Sequence, residues 1–349
     1  MNESNPIDRR QFLVKTGRIG MGIAGGVGMA ELLSYQTGIG LRDAVNAAIL
    51  GVEYGPDIAF AIGNNPTEFK ETVDLWIKPD LDYLKAPFFK EPFSYQRDAR
   101  NTVLAFGDSN MVGARGNDQS NSPVDLFKDK LKGNIGEWKV LNFAKSGFTT
   151  QMVVDKQLHS REAREVFENT EFCDVWVNAG GNDMGNVAFT REEVMEVQKL
   201  SIDPWANPEI LFKYASRLKD NLRQFGNNFS GLLNALDNEA QGKIKHLAIM
   251  SVPDFSRAPS ITTQEIGAES YSIPLHNPYL RDLVGNISIR MNNIMFGVTE
   301  KFQENKGVRI VGIDTYHWSM SKFGKDQHFT QEADYAIAED AFRKVQFTN

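Results

Sequence analysis

Cysteine is almost missing from this chain. Cys173 is the only one in 349 residues, so no disulfide within the chain is possible. Histidine is scarce too, with five copies scattered at 159, 246, 276, 317 and 328, and neither H-E-x-x-H nor C-x-x-C occurs. A zinc site needs clustered ligands of these types at defined spacings, so neither a metal nor another cofactor is expected. Basic charge is in deficit: 38 Lys and Arg against 45 Asp and Glu leave a net charge of −7, without a long basic run. A nucleic-acid surface needs a basic stripe, so nucleic acid is excluded as the expected partner. Apolar runs are short. None reaches the 18 or more residues that a membrane-crossing helix requires. What remains is ordinary globular composition, 41% hydrophobic and 24% charged, enough for one large domain or two modest ones.

The N-terminus reads as an address. In "DRRQFLVKTGRIGMGIAGGVGMAELL", Arg9 and Arg10 precede Phe12 and Leu13, and a glycine-rich, weakly apolar stretch comes next, interrupted by Arg18. The pattern resembles a twin-arginine export signal, although Asp8 stands where Ser or Thr is more usual. "GMA", ending at Ala30, offers a cleavage site. The expectation is an export segment over 1–30 and a product that is periplasmic or secreted, with no stable membrane span once the signal is removed. An amphipathic or unstructured tail is the competing reading. Export in the folded state suits a protein without disulfides. Residues 31–98 are rich in Pro and aromatics without a clean period, and read as an extension wrapped on a main domain spanning 99–349.

From residue 101 the pattern becomes regular. Five apolar runs, "NTVLAF", "WKVLNFA", "CDVWVNA", "IKHLAIMSV" and "VRIVGI", alternate with stretches of helical spacing. The helical stretches are 123–131, 149–170, 209–238, 279–305 and 331–346. The stretch 149–170 reads as one long helix capped by Thr149 or Thr150. Continuous rather than alternating apolar runs belong to strands buried on both faces, which means a parallel sheet with helices on either side. The expected fold is a three-layer α/β/α sandwich with a five-stranded doubly wound sheet in flavodoxin-like order 2-1-3-4-5. Two insertions, near 186–208 and 254–277, leave the carboxyl edge of that sheet.

Ligands of such sheets bind outside the carboxyl ends of the strands. There the chain has Gly107-Asp108-Ser109-Asn110 after run one and Ala144-Lys145-Ser146-Gly147 after run two. Gly180-Gly181-Asn182-Asp183 comes after run three. Asp326-Gln327-His328 stands in the loop before the last helix. These are the parts of an acyl-transfer site. Ser109 is the candidate nucleophile and His328 its base, with Asp326 holding the imidazole tautomer. The N–H groups of Ser109 and Gly147, with the Asn182 amide, are the candidate oxyanion hole. A glycine lets a backbone donor approach the substrate closely, and an Asn amide donates without carrying charge.

The four blocks, in this order, resemble the SGNH/GDSL hydrolase superfamily. "GDS" at 107–109, "LNFAKSGFTT" with Gly147, "GGND" at 180–183 and "HFTQEADYAIAE" from His328 carry the likeness, and "SVPDFSRAP" at 251–259 is similar to a segment of lipase-like members. The resemblance spans about 101–346. It implies an ester hydrolase that works through an acyl-enzyme. One position departs from the pattern: the family places its Asp three residues before the His, and here that residue is Lys325. Either Asp326 serves from two residues before, or Asp314, directly after run five, supplies the carboxylate. "DTYH", Asp314 to His317, itself has D-x-x-H spacing, but the residues after His317 do not match.

The expected substrate is a small-molecule or lipid ester. An acyltransferase and a carbohydrate O-deacetylase are enzymatic alternatives with the same site. A binding protein with a decayed site is the non-enzymatic one. The sequence names no protein partner. Cys173, opening a run, reads as a buried inert thiol.

Overall fold

The computed structural model describes residues 78–96, 101–112, 122–132, 136–183, 208–263, 271–276, 278–317, 323 and 329–348. The signal-like segment, residues 31–77 of the proposed extension, the insertion at 186–207, Asp326 and His328 lie outside them. The chain divides into two compact units, Met1–Lys78 with Met195–Asp220, and Pro79–Val194 with Asn221–Asn349. The central sheet and the candidate site belong to the second unit.

At its centre are five strands, β2 (Asn101–Gly107), β3 (Trp138–Asn142), β4 (Cys173–Asn178), β5 (Ile244–Met250) and β8 (Ile310–Ile313), hydrogen-bonded in the order β3-β2-β4-β5-β8. Every neighbouring pair is parallel. In strands counted along the chain this is 2-1-3-4-5, so the apolar runs and their expected order are found as read. The sheet's period of two explains the uninterrupted apolar runs. Val103 and Ala105 enter one core cluster with Trp176, Ala248, Met250 and Val311. Leu104 and Phe106 are equally buried on the other face, where Phe106 stacks on Phe167.

Helices cover both faces. On the first lie α2 (Pro123–Leu131) and α7 (Gln331–Arg343), whose Val124, Phe127, Ala333 and Ile337 belong to the same cluster. Lys130 and Glu339 join them at 2.5 Å, on the partly exposed side. On the second face lies α4 (Arg161–Asn169), which carries Phe167. Helix α5 (Pro208–Ala240) and helix α6 (Pro278–Lys306) touch where Gly226 faces Ile294. The stretch read as one long helix is two. Thr149 caps α3 (Thr150–Met152), which runs into a π-helical turn, Val153–Leu158, and Ser160 caps α4 anew through the Ala163 N–H. Ser at a helix entry accepts this bond readily, and that is the signal a continuous helical period hides.

Further strands and a helical segment were not legible as elements. After α7 the chain turns at Lys344 into β9 (Val345–Thr348), which pairs in parallel with β1 (Phe93–Gln96). The last helix therefore ends at Arg343, not at 346. The insertion at 254–277 contains an antiparallel pair, β6 (Ser260–Thr263) and β7 (Tyr271–Pro274). Two short 3-10 turns, Asp82–Lys85 and Pro87–Phe89, put Tyr83, Phe88 and Phe89 around Phe296 of α6. Phe89 also lies over Gly312 of the edge strand β8, where a Cβ would come within 2.9 Å of its ring. Beneath β4 and β5, Tyr95 donates its hydroxyl to Asp174 at 2.6 Å, and the other oxygen of Asp174 meets His246 Nδ1 at 2.8 Å. His246 Nε2 accepts the Ser94 N–H, so β1 is tied to the sheet by a buried polar chain.

Candidate active site

The site grows from the carboxyl ends of β2, β3 and β4. Leaving β2, the chain reverses at Gly107, whose φ is +154° and whose hydrogen-for-Cβ is required: a Cβ there would stand 2.2 Å from the Asn178 carbonyl oxygen. Asp108 then donates its N–H to that carbonyl, and its Oδ1 accepts the Asn110 N–H at 2.9 Å. Asp108 thus braces the turn. Ser109 opens a four-residue helix, α1 (Ser109–Val112), and is recessed, with 8% of its surface exposed.

The β3 end is bonded to this turn. Lys145 N–H donates to the Gly107 carbonyl at 3.1 Å, and the Asn142 amide donates to the Met111 carbonyl at 3.0 Å. Two residues on, Gly147 has φ +80°, a left-handed conformation that suits glycine. The β4 end is bonded to both. Gly181 lies against the Asp108 carboxylate, where a Cβ would sit 2.9 Å from Oδ2. Asn182 Nδ2 donates to the Phe148 carbonyl at 3.1 Å, using one of its two hydrogens beside Gly147. Asp183 Oδ2 accepts both the backbone N–H and the hydroxyl of Thr150, at 2.8 and 2.9 Å. Burial pushes the Asp183 carboxyl up to about 6, against the opposing pull of the Thr150 backbone N–H, the Thr150 hydroxyl and its own backbone N–H. Ser109, Gly147 and Asn182 are therefore carried by three loops bonded to one another.

The β5 and β8 ends form a second group. Asn292 of α6 brackets the Val252 peptide, accepting its N–H at 2.7 Å and donating to its carbonyl at 2.9 Å. The Ser251 hydroxyl accepts the N–H groups of Thr315 and Tyr316. Asp314 Oδ2 meets His317 Nδ1 at 2.5 Å, while its Oδ1 accepts the Tyr316 N–H. His317 keeps 46% of its side chain in solvent. The D-x-x-H spacing in the sequence signalled this pair, although the residues after His317 do not match the family block.

Two residues near His328 are among those described. Phe329, next in sequence to it, sits in the core cluster that also holds Met111 and Val112, two and three residues after Ser109. Phe323 stacks on Phe329 at 5.5 Å and on Phe255 at 5.9 Å, and Phe255 reaches within 3.4 Å of where a Gly181 Cβ would lie. Cys173 is buried and its thiol is pushed up to about 12 by desolvation, so it stays protonated. Among the described residues no group of three metal-ligating side chains occurs.

Residues 103–341 match the family described as GDSL-like Lipase/Acylhydrolase. The chain belongs to this family. It is an ester hydrolase, acting on small-molecule esters. No curated protein matches the chain. Solved structures similar to it include a psychrotrophic esterase from Pseudoalteromonas, at 15% identity and TM-score 0.38, covering 70% of this chain and 96% of that one. An extracellular lipase from Streptomyces rimosus matches at 17% identity and TM-score 0.43, over 70% and 100%. A phospholipase A1 from Streptomyces albidoflavus matches at 14% and 0.40, over 70% and 100%.

Proposed function

We propose that the GDSL-like enzyme cleaves acyl esters through a covalent acyl-enzyme on Ser109, with His328 as base and Asp326 as the carboxylate behind it. The observation that carries the reading is the bonding of the Ser109, Gly147 and Asn182 loops into one unit at adjacent strand ends. In the first step Ser109 Oγ bonds to the ester carbonyl carbon and its proton passes to His328 Nε2. The carbonyl oxygen takes the negative charge, which the N–H groups of Ser109 and Gly147 and the remaining Asn182 hydrogen stabilise. Collapse expels the alcohol, protonated by His328, and a water molecule repeats the sequence to release the acid.

The location of Phe329 supports His328 over His317. β8 stands three strands away from β2, about 14 Å at ordinary strand spacing. The loop after β8 must return to α7, which packs on the α2 face, and Phe329 at its end shares a cluster with the residues following Ser109. Asp314 already serves His317 and two backbone donors locally. The Phe255 ring beside Gly181 supports an apolar acyl group.

The test is a panel of p-nitrophenyl esters of graded acyl length, with and without an alcohol acceptor. Turnover to free acid that improves beyond acetate is expected. Activity confined to acetyl esters of sugars would make the enzyme a deacetylase, and acyl transfer without free acid would make it a transferase. In the same assay His328→Ala is expected to lose at least about 10³ in kcat, and His317→Ala less than tenfold. The reverse ranking would move the base to His317 and the triad carboxylate to Asp314.

A further inference from the structure

The backbone of Gly107, two residues before Ser109, is held at both its N–H and its carbonyl by one side chain. Gln157 Oε1 accepts the Gly107 N–H at 2.9 Å, and Gln157 Nε2 donates to the Gly107 carbonyl at 2.7 Å. The side chain is buried, and both of these bonds go to this one residue. Gln157 comes from the π-helical turn Val153–Leu158, between α3 and α4. Such turns are rare, and where they occur they often serve a functional position. Here the widened turn delivers an amide where β2 runs out of strand to pair with: β3 ends at Asn142, opposite Ala105, and beyond it the Lys145 N–H reaches β2 on the Gly107 carbonyl. The Gln157 amide supplies what a further strand residue would, one donor and one acceptor at peptide spacing.

The placement matters because the Gly107 backbone decides where Ser109 stands. Gly107 has φ +154° and lies so close to the Asn178 carbonyl that no Cβ would fit, so the turn has little room to shift on that side. A rotation of that backbone would carry both the Ser109 hydroxyl and the Ser109 N–H away from Gly147 and Asn182. We propose that Gln157 is a positioning residue of the nucleophile turn, its amide fixing the Gly107 backbone so that Ser109 Oγ and Ser109 N–H hold their register with the Gly147 and Asn182 donors. The inference rests on Ser109 being the nucleophile.

Chemistry separates this role from plain packing. An amide both donates and accepts. A carboxylate at the same place only accepts and would oppose the Gly107 carbonyl, whereas a protonated carboxyl again offers one donor and one acceptor. Gln157→Glu should therefore be impaired when ionised and restored when protonated. Gln157→Leu, similar in size, removes both bonds at every pH.

The experiment is steady-state ester hydrolysis by wild type, Gln157→Leu and Gln157→Glu across the pH range in which wild type is folded. kcat is normalised to the active sites counted by end-point fluorophosphonate labelling, so that unfolded molecules drop out. For Gln157→Leu a fall of about 10 to 10² in kcat per labelled site is expected, with KM within about threefold, because misplacement by about an ångström costs on that order. For Gln157→Glu the kcat ratio to wild type should rise as pH falls, and for Gln157→Leu it should stay flat. Equal kcat per labelled site in Gln157→Leu and wild type overturns the inference. So does a Gln157→Glu ratio that does not depend on pH. If Gln157→Leu does not fold, the Gln157→Glu ratio alone decides. Failure of wild type itself to label would instead overturn Ser109 as nucleophile.

Discussion

Asn182 shows how a residue's neighbours sort its role. One amide hydrogen is taken by the Phe148 carbonyl, which fixes the plane of the side chain; in the proposed mechanism the other donates to the oxyanion. A donor held this way acts on charge that exists only in the transition state. Asn182→Ala should therefore lower kcat by about 10²–10³ with little change in KM. Steady-state kinetics on the purified variant checks this, and an effect confined to KM would make Asn182 a substrate-binding residue. Ser109 is nearly buried although it stands at a turn, because residues 109–112 all pack inward as a short helix. Turn composition told where the strand ends and could not tell how deep the turn lies.

At the scale of elements, a buried carboxylate joins the Asn182 amide in fastening the loops after β3 and β4. Asp183 is held by Thr150 at the start of α3, yet burial raises its pKa from 3.8 to about 6. The folded protein therefore binds a proton here more tightly than the unfolded chain does. The associated stability is fully present below about 4 and is lost as pH rises through about 6. Urea unfolding of wild type and Asp183→Asn from pH 4 to 7 should show the wild-type advantage shrinking as pH rises. An advantage that grows with pH would mean that the Thr150 bonds outweigh burial. The same elements show what sequence made legible. Four of the five strands were visible because both their faces are buried, leaving uninterrupted apolar runs, whereas the edge strand β3 is only half-buried; their order came from the handedness of parallel crossovers. The break at Ser160 and the π-helical turn were hidden, since a helical period continues through both. β1 and β9 were hidden because each is four residues long and the two lie near opposite ends of the described chain. Gln157 carried no signal, because a buried glutamine in a helical stretch reads as one more polar position.

On the scale of the whole molecule, the sheet separates two kinds of edge. Ser109, Gly147 and Asn182 gather at the carboxyl edge, while the Tyr95–Asp174–His246 chain closes the other and ties β1 beneath β4 and β5. Among the described residues no helix is long and apolar enough to cross a membrane. We propose that Arg9 and Arg10 direct export of the folded chain. Fusing residues 1–35 to a reporter that must fold before crossing the membrane tests this: Arg9→Lys with Arg10→Lys should leave the reporter in the cytoplasm, and unchanged export would refute the twin-arginine reading. The proposed chemistry stands on one covalent bond. Intact-mass measurement of the full chain after treatment with a fluorophosphonate, followed by peptide mapping, tests it most directly. A single adduct on Ser109, absent in a folded Ser109→Ala variant that has also lost ester turnover, is the predicted result. An adduct on another residue, or full turnover in Ser109→Ala, would contradict it.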